Sequence, residues 1–277
     1  MRRWTRRTWR MLAVRFFSAI GACAVVVSVV APLSPLWWQG QLWVIVAVIV
    51  IAVVWAARGL RRREPTQKYR ENVTIRLVLG DLFDQDASAV VGMTTTFDTL
   101  VPDVISPTSV QGVLLDRVYG GSCARLDADL DALLANIPSV GTIEKEGKRV
   151  LYPLSTVVTL SPPGSIRYYC AAYTTMDDQN RATGSIRGLL DALDNCWDAA
   201  DSHGNGAPIC VPLIGQGQFR VPELTAEIAV RLIAFSFLLR TRRSRFAREL
   251  RIVVHPDECD KIDAAEFQAF LTSLGAE

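Results

Sequence analysis

The residues best suited to chemistry lie in residues 207–222, APICVPLIGQGQFRVP. The apolar run 209–214 predicts a short buried strand. Gly215-Gln216-Gly217 predicts a turn, and Pro222-Glu223 the first turn of a helix, where proline is tolerated and a carboxylate is favoured. Glycines between a strand end and a helix start let the backbone approach a ligand closely, with several N–H groups turned toward it. That arrangement suits phosphate, so the loop implies a nucleotide-diphosphate ligand. It is not a Walker A loop, because no Gly-Lys-Ser/Thr follows. Nor is it a full dinucleotide fingerprint, because Arg220 stands where the third glycine belongs. The same segment also fits an ordinary strand-to-helix turn.

Elements that could position such a loop alternate along the chain. Residues 73–79, 87–92, 148–159, 165–174, 209–214 and 250–254 read as strands. Residues 110–119, 124–136, 185–200, 222–239 and 264–274 read as helices. The alternation predicts a layered α/β domain with a parallel or mixed sheet, whose ligands collect at the carboxyl ends of strands. Three loops are candidates there: Gly80-Asp81-Leu82-Phe83, residues 92–99 (GMTTTFDT), and residues 215–221. Asp127, Asp129 and Asp131 are spaced like calcium ligands, but the glycine and distal glutamate of an EF-hand loop are missing, so a solvated helix face is expected.

The 277 residues carry a net charge of +2 that conceals two opposite parts. Residues 1–70 hold 12 basic and one acidic residue, and residues 71–277 hold 18 basic and 27 acidic ones. The larger part is therefore acidic, which argues against a nucleic-acid partner. The basic part contains two charge-free apolar runs, 16–31 and 42–57, with arginines before the first and after the second and none between. This pattern predicts a transmembrane hairpin over residues 1–60, with spans at about 13–33 and 38–57 and both termini cytoplasmic. Six of the seven tryptophans lie near the ends of the runs, where an interfacial belt would place them. Residues 61–72 read as a juxtamembrane linker, and residues 73–277 as the cytosolic domain. The six cysteines form no CxxC pair and only two histidines occur, so free thiols are expected, with no disulfide framework or zinc site. The arginine run 240–251 fits either a solvated helix end or a contact with anionic lipid.

Taken in order, the three loops resemble a macro domain, the three-layer α/β/α module with a mixed sheet that binds ADP-ribose. The resemblance spans about residues 73–275. It implies that Asp81, with Leu82 beside it, reads the adenine amino group. Gly92, Thr94, Thr95, Phe97 and Asp98 occupy the place of the Asn-rich loop around the distal ribose. Gly215, Gln216, Gly217, Gln218, Phe219 and Arg220 occupy the loop that wraps the diphosphate, with Arg220 in place of a glycine. Hydrolytic macro domains position substrate and water with an asparagine that this chain lacks. Asp98 is the one nearby carboxylate, and a turn or helix-cap role suits it as well. The expectation is a binding module with no catalytic residue, no metal and no cofactor beyond its ligand.

A hairpin joined to a divergent macro domain is similar to the membrane-anchored effectors of Thoeris-type bacterial antiphage systems. In that family a partner TIR-domain enzyme makes an ADP-ribose-derived signal, histidine-linked ADP-ribose in the best-matching subtype. Binding is thought to assemble the hairpins and damage the membrane. The resemblance thus implies a homo-oligomer in the bacterial inner membrane when activated, with the lipid bilayer as a further partner. The alternatives are a membrane-tethered ADP-ribosyl hydrolase and a tethered reader of ADP-ribosylated proteins.

Overall fold

A computed structural model describes residues 18, 21, 50, 64–69, 72–164, 166–215, 221 and 224–275. The chain divides into two compact units, Met1–Arg63 and Glu64–Glu277. Apart from Ser18, Gly21 and Val50, the expected hairpin lies outside the described residues. Among the described residues, no helix is long and apolar enough to cross a membrane.

The second unit is built on one sheet. Its strands are β1 (Thr66–Lys68), β2 (Thr74–Leu79), β3 (Ser88–Thr94), β6 (Val157–Leu160), β7 (Tyr168–Met176), β8 (Ala182–Gly184), β9 (Ile209–Pro212) and β10 (Glu249–Val254). A separate small hairpin pairs β4 (Gly141–Thr142) with β5 (Val150–Leu151). The order across the sheet is β1-β2-β10-β9-β3-β7-β6, with β8 paired to β7. The five central strands β2, β10, β9, β3 and β7 run parallel, while β1, β6 and β8 are antiparallel. The sheet is mixed, as the alternation of elements predicts.

Helices cover both faces because the strands are apolar on both. In β7, Tyr169, Ala171 and Tyr173 face one core, and Tyr168, Cys170 and Ala172 face the other. The first core is closed by α3 (Ile186–His203), α4 (Ala226–Thr241) and α5 (Ala264–Leu274). The second is closed by α1 (Val110–Tyr119) and α2 (Cys123–Leu134). Each helix starts on a side-chain cap: Ser109, Ser122, Ser185, Thr225 and Asp263 accept from backbone N–H groups in the first turn.

Several boundaries differ from the sequence-based expectation, and four of the differences matter most. The expected strand 148–159 is two short strands, separated where Pro153 and Ser155, at φ 70°, leave extended geometry. The helix expected from Pro222 begins at Ala226, because Thr225 Oγ1 accepts from Ile228 N at 3.3 Å and sets the cap there. Strand β3 continues through Gly92 to Thr94, which were expected in a loop. The folded unit also reaches back into the expected linker. Thr66–Lys68 pairs with β2, and Tyr69 is buried with its hydroxyl donating to Leu271 O at 2.9 Å.

Candidate functional site

All three candidate loops leave the carboxyl ends of parallel strands, at one edge of the sheet. Asp81 follows β2, Thr95–Asp98 follow β3, and Leu213–Gly215 follow β9. With strands about 4.8 Å apart, β2 and β3 are three spacings and about 14 Å apart, with β9 between them.

After β2, Asp81 caps a single 3-10 turn, accepting from Phe83 N at 2.9 Å on Oδ1. Its Oδ2 meets Arg117 Nη2 at 2.9 Å, and Arg117 Nη1 reaches Asp84 at 3.0 Å. Both oxygens of Asp81 are thus engaged, one by the backbone and one by an arginine from the last turn of α1. Leu82 is buried in the second core beside this turn.

The segment after β3 turns inward. Thr94, Thr95, Thr96, Phe97 and Asp98 are each at most 3% exposed. Asp98 is the hub of the turn. Its Oδ2 accepts from Thr96 Oγ1 at 2.5 Å and from Lys145 Nζ at 2.7 Å, and its Oδ1 accepts from Lys148 N at 2.6 Å. Its carbonyl accepts from Gln111 Nε2. Both side chains of the Asp98–Lys145 pair are wholly buried. Phe97 takes a φ of 49° and packs edge-on against Tyr152, with ring centres 5.9 Å apart. Two buried side-chain oxygens here have no partner: Thr95 Oγ1 and Gln111 Oε1. The Thr95 backbone is fully used, donating to Thr174 O and accepting from Tyr152 N, both at 2.9 Å.

Lys145 comes from the loop of the β4–β5 hairpin, and the sequence alone did not mark it. The hairpin lies over the turn and is tied down twice. Lys145 reaches Asp98, and Lys148 Nζ lies 2.8 Å from both Asp127 and Asp131 of α2. Burial alone would lower the Lys148 ammonium, but these two carboxylates hold it above its ordinary value. The aspartates expected as a solvated face therefore anchor the hairpin and the turn: Asp127 also accepts from Thr99 Oγ1, and Asp129 from the Tyr119 hydroxyl. Gly147 is required where it stands. Its φ is +84°, and a Cβ there would come within 2.3 Å of Asp98 Oδ1.

Gly92 sits inside β3, where a Cβ would fall 2.4 Å from the Tyr173 ring. Its missing side chain makes room for that tyrosine. Burial pushes the Tyr173 hydroxyl up, and a backbone hydrogen bond from Gly215 partly offsets the rise. Tyr173 thus links the β3 and β9 loops. Gly215 itself has φ +81°, and its carbonyl accepts from Val221 N at 3.2 Å, which brings the two ends of loop 215–221 together. Gln216, Gly217, Gln218, Phe219 and Arg220 lie outside the described residues.

A cavity of about 350 Å³ lined by Asp86, Ser88, Ser161, Ile166 and Arg167 lies at the opposite, amino-terminal end of the strands, away from these loops. The buried thiols are not reactive groups. Burial raises Cys170 and Cys196 well above the usual range and pushes Cys210 up to about 12.

A mixed sheet of this strand order between two helical layers, with its candidate loops gathered at the carboxyl ends of parallel strands, is a macro-type α/β/α domain. Two mutants of the Oceanobacillus iheyensis macrodomain share 14% identity with the chain. One has a TM-score of 0.50, covering 76% of this chain and 96% of its own. The other has 0.49, covering 76% and 97%. The same macrodomain with ADP gives 0.46 at 12% identity, covering 76% and 97%. Likeness at such identity concerns the fold. A comparison with curated proteins finds no match. Residues 75–255 match the family described as Thoeris protein ThsA, macro domain, and the chain belongs to that family.

Proposed function

We propose that this chain is a membrane-anchored sensor whose macro domain binds an ADP-ribose-derived signal. The observation that carries the reading is the family match over residues 75–255, which takes in all three candidate loops in order. The arrangement of the loops supports it. A span of about 14 Å between the β2 and β3 ends, with a glycine loop between them, suits an elongated ligand with a diphosphate at its middle. Asp81 reads the adenine end by exchanging its contact with Arg117. Loop 215–220 holds the diphosphate. Thr95, whose buried hydroxyl lacks a partner, completes that hydrogen bond with the distal end of the ligand.

In this reading the chain binds its ligand without turning it over. Asp98 has both oxygens engaged within the turn, so it shapes the wall of the site and does not orient a water. The N-terminal hairpin holds the domain in the bacterial inner membrane, a partner TIR-domain enzyme supplies the signal, and binding assembles the hairpins into a membrane-damaging state. Such gating needs a ligand that binds one state better than the other.

The test is calorimetric titration of the full-length chain with ADP-ribose and with histidine-linked ADP-ribose. Saturable binding of at least one is expected, and Gly217→Val should abolish it by filling the space of the diphosphate. No saturable binding of either at millimolar concentration removes the reading. Multiple turnover of the ligand by the purified chain overturns its non-enzymatic part.

A further inference from the structure

Helix α4 is apolar on both sides. Its inner side is buried against the sheet through Ala229, Val230, Ile233, Phe237 and Leu238. Its outer side carries Ile228, Phe235 and Leu239, which are 40%, 43% and 46% exposed, with the half-buried Leu232 between them. The neighbouring α3 shows what an outer face in this layer looks like when water is its partner. There the exposed positions are all polar, Arg187, Asp191, Asp194, Asn195 and Asp198 among them. An isolated exposed apolar side chain needs no explanation, but three in one stripe with a half-buried fourth between them are a surface that has something to meet.

The spacing of the stripe identifies what it meets. Ile228, Leu232, Phe235 and Leu239 follow one another at intervals of four, three and four, the seam of two helices packed side by side. The series reads the same in both directions about a point between Ile233 and Ala234. A twofold axis through that point places Ile228 on the partner's Leu239 and Leu232 on the partner's Phe235. A surface that is its own complement under a twofold is what an isologous dimer requires.

Charge selects the antiparallel arrangement. The first turn of α4 carries the half-buried Glu227, 4.0 Å from Arg231 of the same helix, whereas the chain just past its last turn exposes Arg242, Arg243 and Arg245. Antiparallel packing sets the acidic end of each helix beside the arginines of the other and opposes the helix dipoles. Parallel packing would stack the arginines on themselves. The run 240–251 thus has a use that requires neither lipid nor nucleic acid.

We infer that the outer face of α4 is a self-association surface, on which two copies of this chain pair antiparallel about a twofold axis between Ile233 and Ala234. Four side chains from each copy are far fewer than the roughly 20–30 residues a side of a standard interface. The pairing is therefore weak between free copies and becomes effective where copies are held together at high local concentration. The stripe is separate from the loops at the carboxyl ends of the strands, so the pairing stands independently of what those loops bind.

Cross-linking of the full-length chain in membrane vesicles tests this directly. Cys23, Cys123 and Cys259 are first replaced by serine. Ile228→Cys and Leu239→Cys are then introduced into separately tagged copies, which are produced together and treated with a short bismaleimide. The mixed 228–239 product is expected at least fivefold above the 228–228 and 239–239 products, and Asp194→Cys copies should not cross-link. Adding Phe235→Asp to both copies should remove the mixed product with no loss of thermal stability, because the side chain is exposed. A dominant 228–228 product would show parallel packing and overturn the proposal. So would the absence of any product while residue 228 is shielded from a water-soluble maleimide, since lipid or another protein would then cover the stripe.

Discussion

At the scale of single residues, the turn after β3 depends on a charge pair that has no contact with solvent. Removing one member of such a pair leaves the other buried and uncompensated, which costs about 3–5 kcal/mol. Lys145→Met should lower the unfolding free energy by that order in urea denaturation. The double variant Asp98→Asn/Lys145→Met should lose less than the sum of the two single changes, because the second change relieves the first. A loss below 1 kcal/mol for Lys145→Met would mean that the pair does not hold the turn. Thr95 behaves in the opposite way. Its hydroxyl has no partner, so Thr95→Val removes an unsatisfied group and should hold or slightly raise stability. If the hydroxyl meets the ligand, the same change should weaken binding about tenfold or more in calorimetry. Asp98 and Thr95 stood out in the sequence because they lie near a recognisable motif. Lys145 did not, since it comes 47 positions after Asp98 in a Glu/Lys/Gly stretch that reads as a solvated turn. Nothing local marks a lysine that the fold will bury.

At the scale of elements, strong local signals survived folding and weak ones did not. Helix α3 was readable because it is polar outside and apolar inside, and Ser185 caps it. The start of α4 was misplaced because Pro222 is as good a local signal as Thr225, and only the Thr225–Ile228 bond decides between them. The edge strand β1 was missed because three polar residues carry no apolar pattern. What fixes it is Tyr69, buried beneath α5. A fragment beginning at residue 73 should therefore be less stable than one beginning at Glu64, by roughly 1.5–3 kcal/mol for the lost aromatic burial. Their urea midpoints measure the difference, and equal midpoints would show that β1 and Tyr69 are not part of the cooperative unit. Gly92→Ala tests another element contact. The added methyl meets the Tyr173 ring, and overpacking of this kind costs about 1–3 kcal/mol. Because Tyr173 also bonds to Gly215, that change should weaken ligand binding, although residue 92 lies within a strand.

At the scale of the whole molecule, charge and hydropathy separate the chain into a basic apolar part and an acidic folded part. The boundary between the two compact units, Arg63/Glu64, falls between the end of the second apolar run and the start of the acidic part. That separation implies that anchoring and ligand capture can be damaged one at a time. Deleting residues 1–60 removes the two apolar runs and seven of the twelve basic residues of the first part but leaves the unit that begins at Glu64 intact. The shortened chain should bind its ligand with unchanged affinity and have no effect on growth when the signal is supplied to bacteria producing it. In the proposed reading, Gly217→Val in the full-length chain should produce the same silence for the opposite reason, because it leaves residues 1–60 in place and fills the space of the diphosphate. Dye uptake and plating efficiency report the cellular effect, and calorimetry reports binding. If the shortened chain still arrests growth, the toxic step lies in the folded unit and the hairpin is only a tether. If neither lesion changes growth because the intact chain is harmless with its ligand bound, the sensor reading loses its output while the binding site survives.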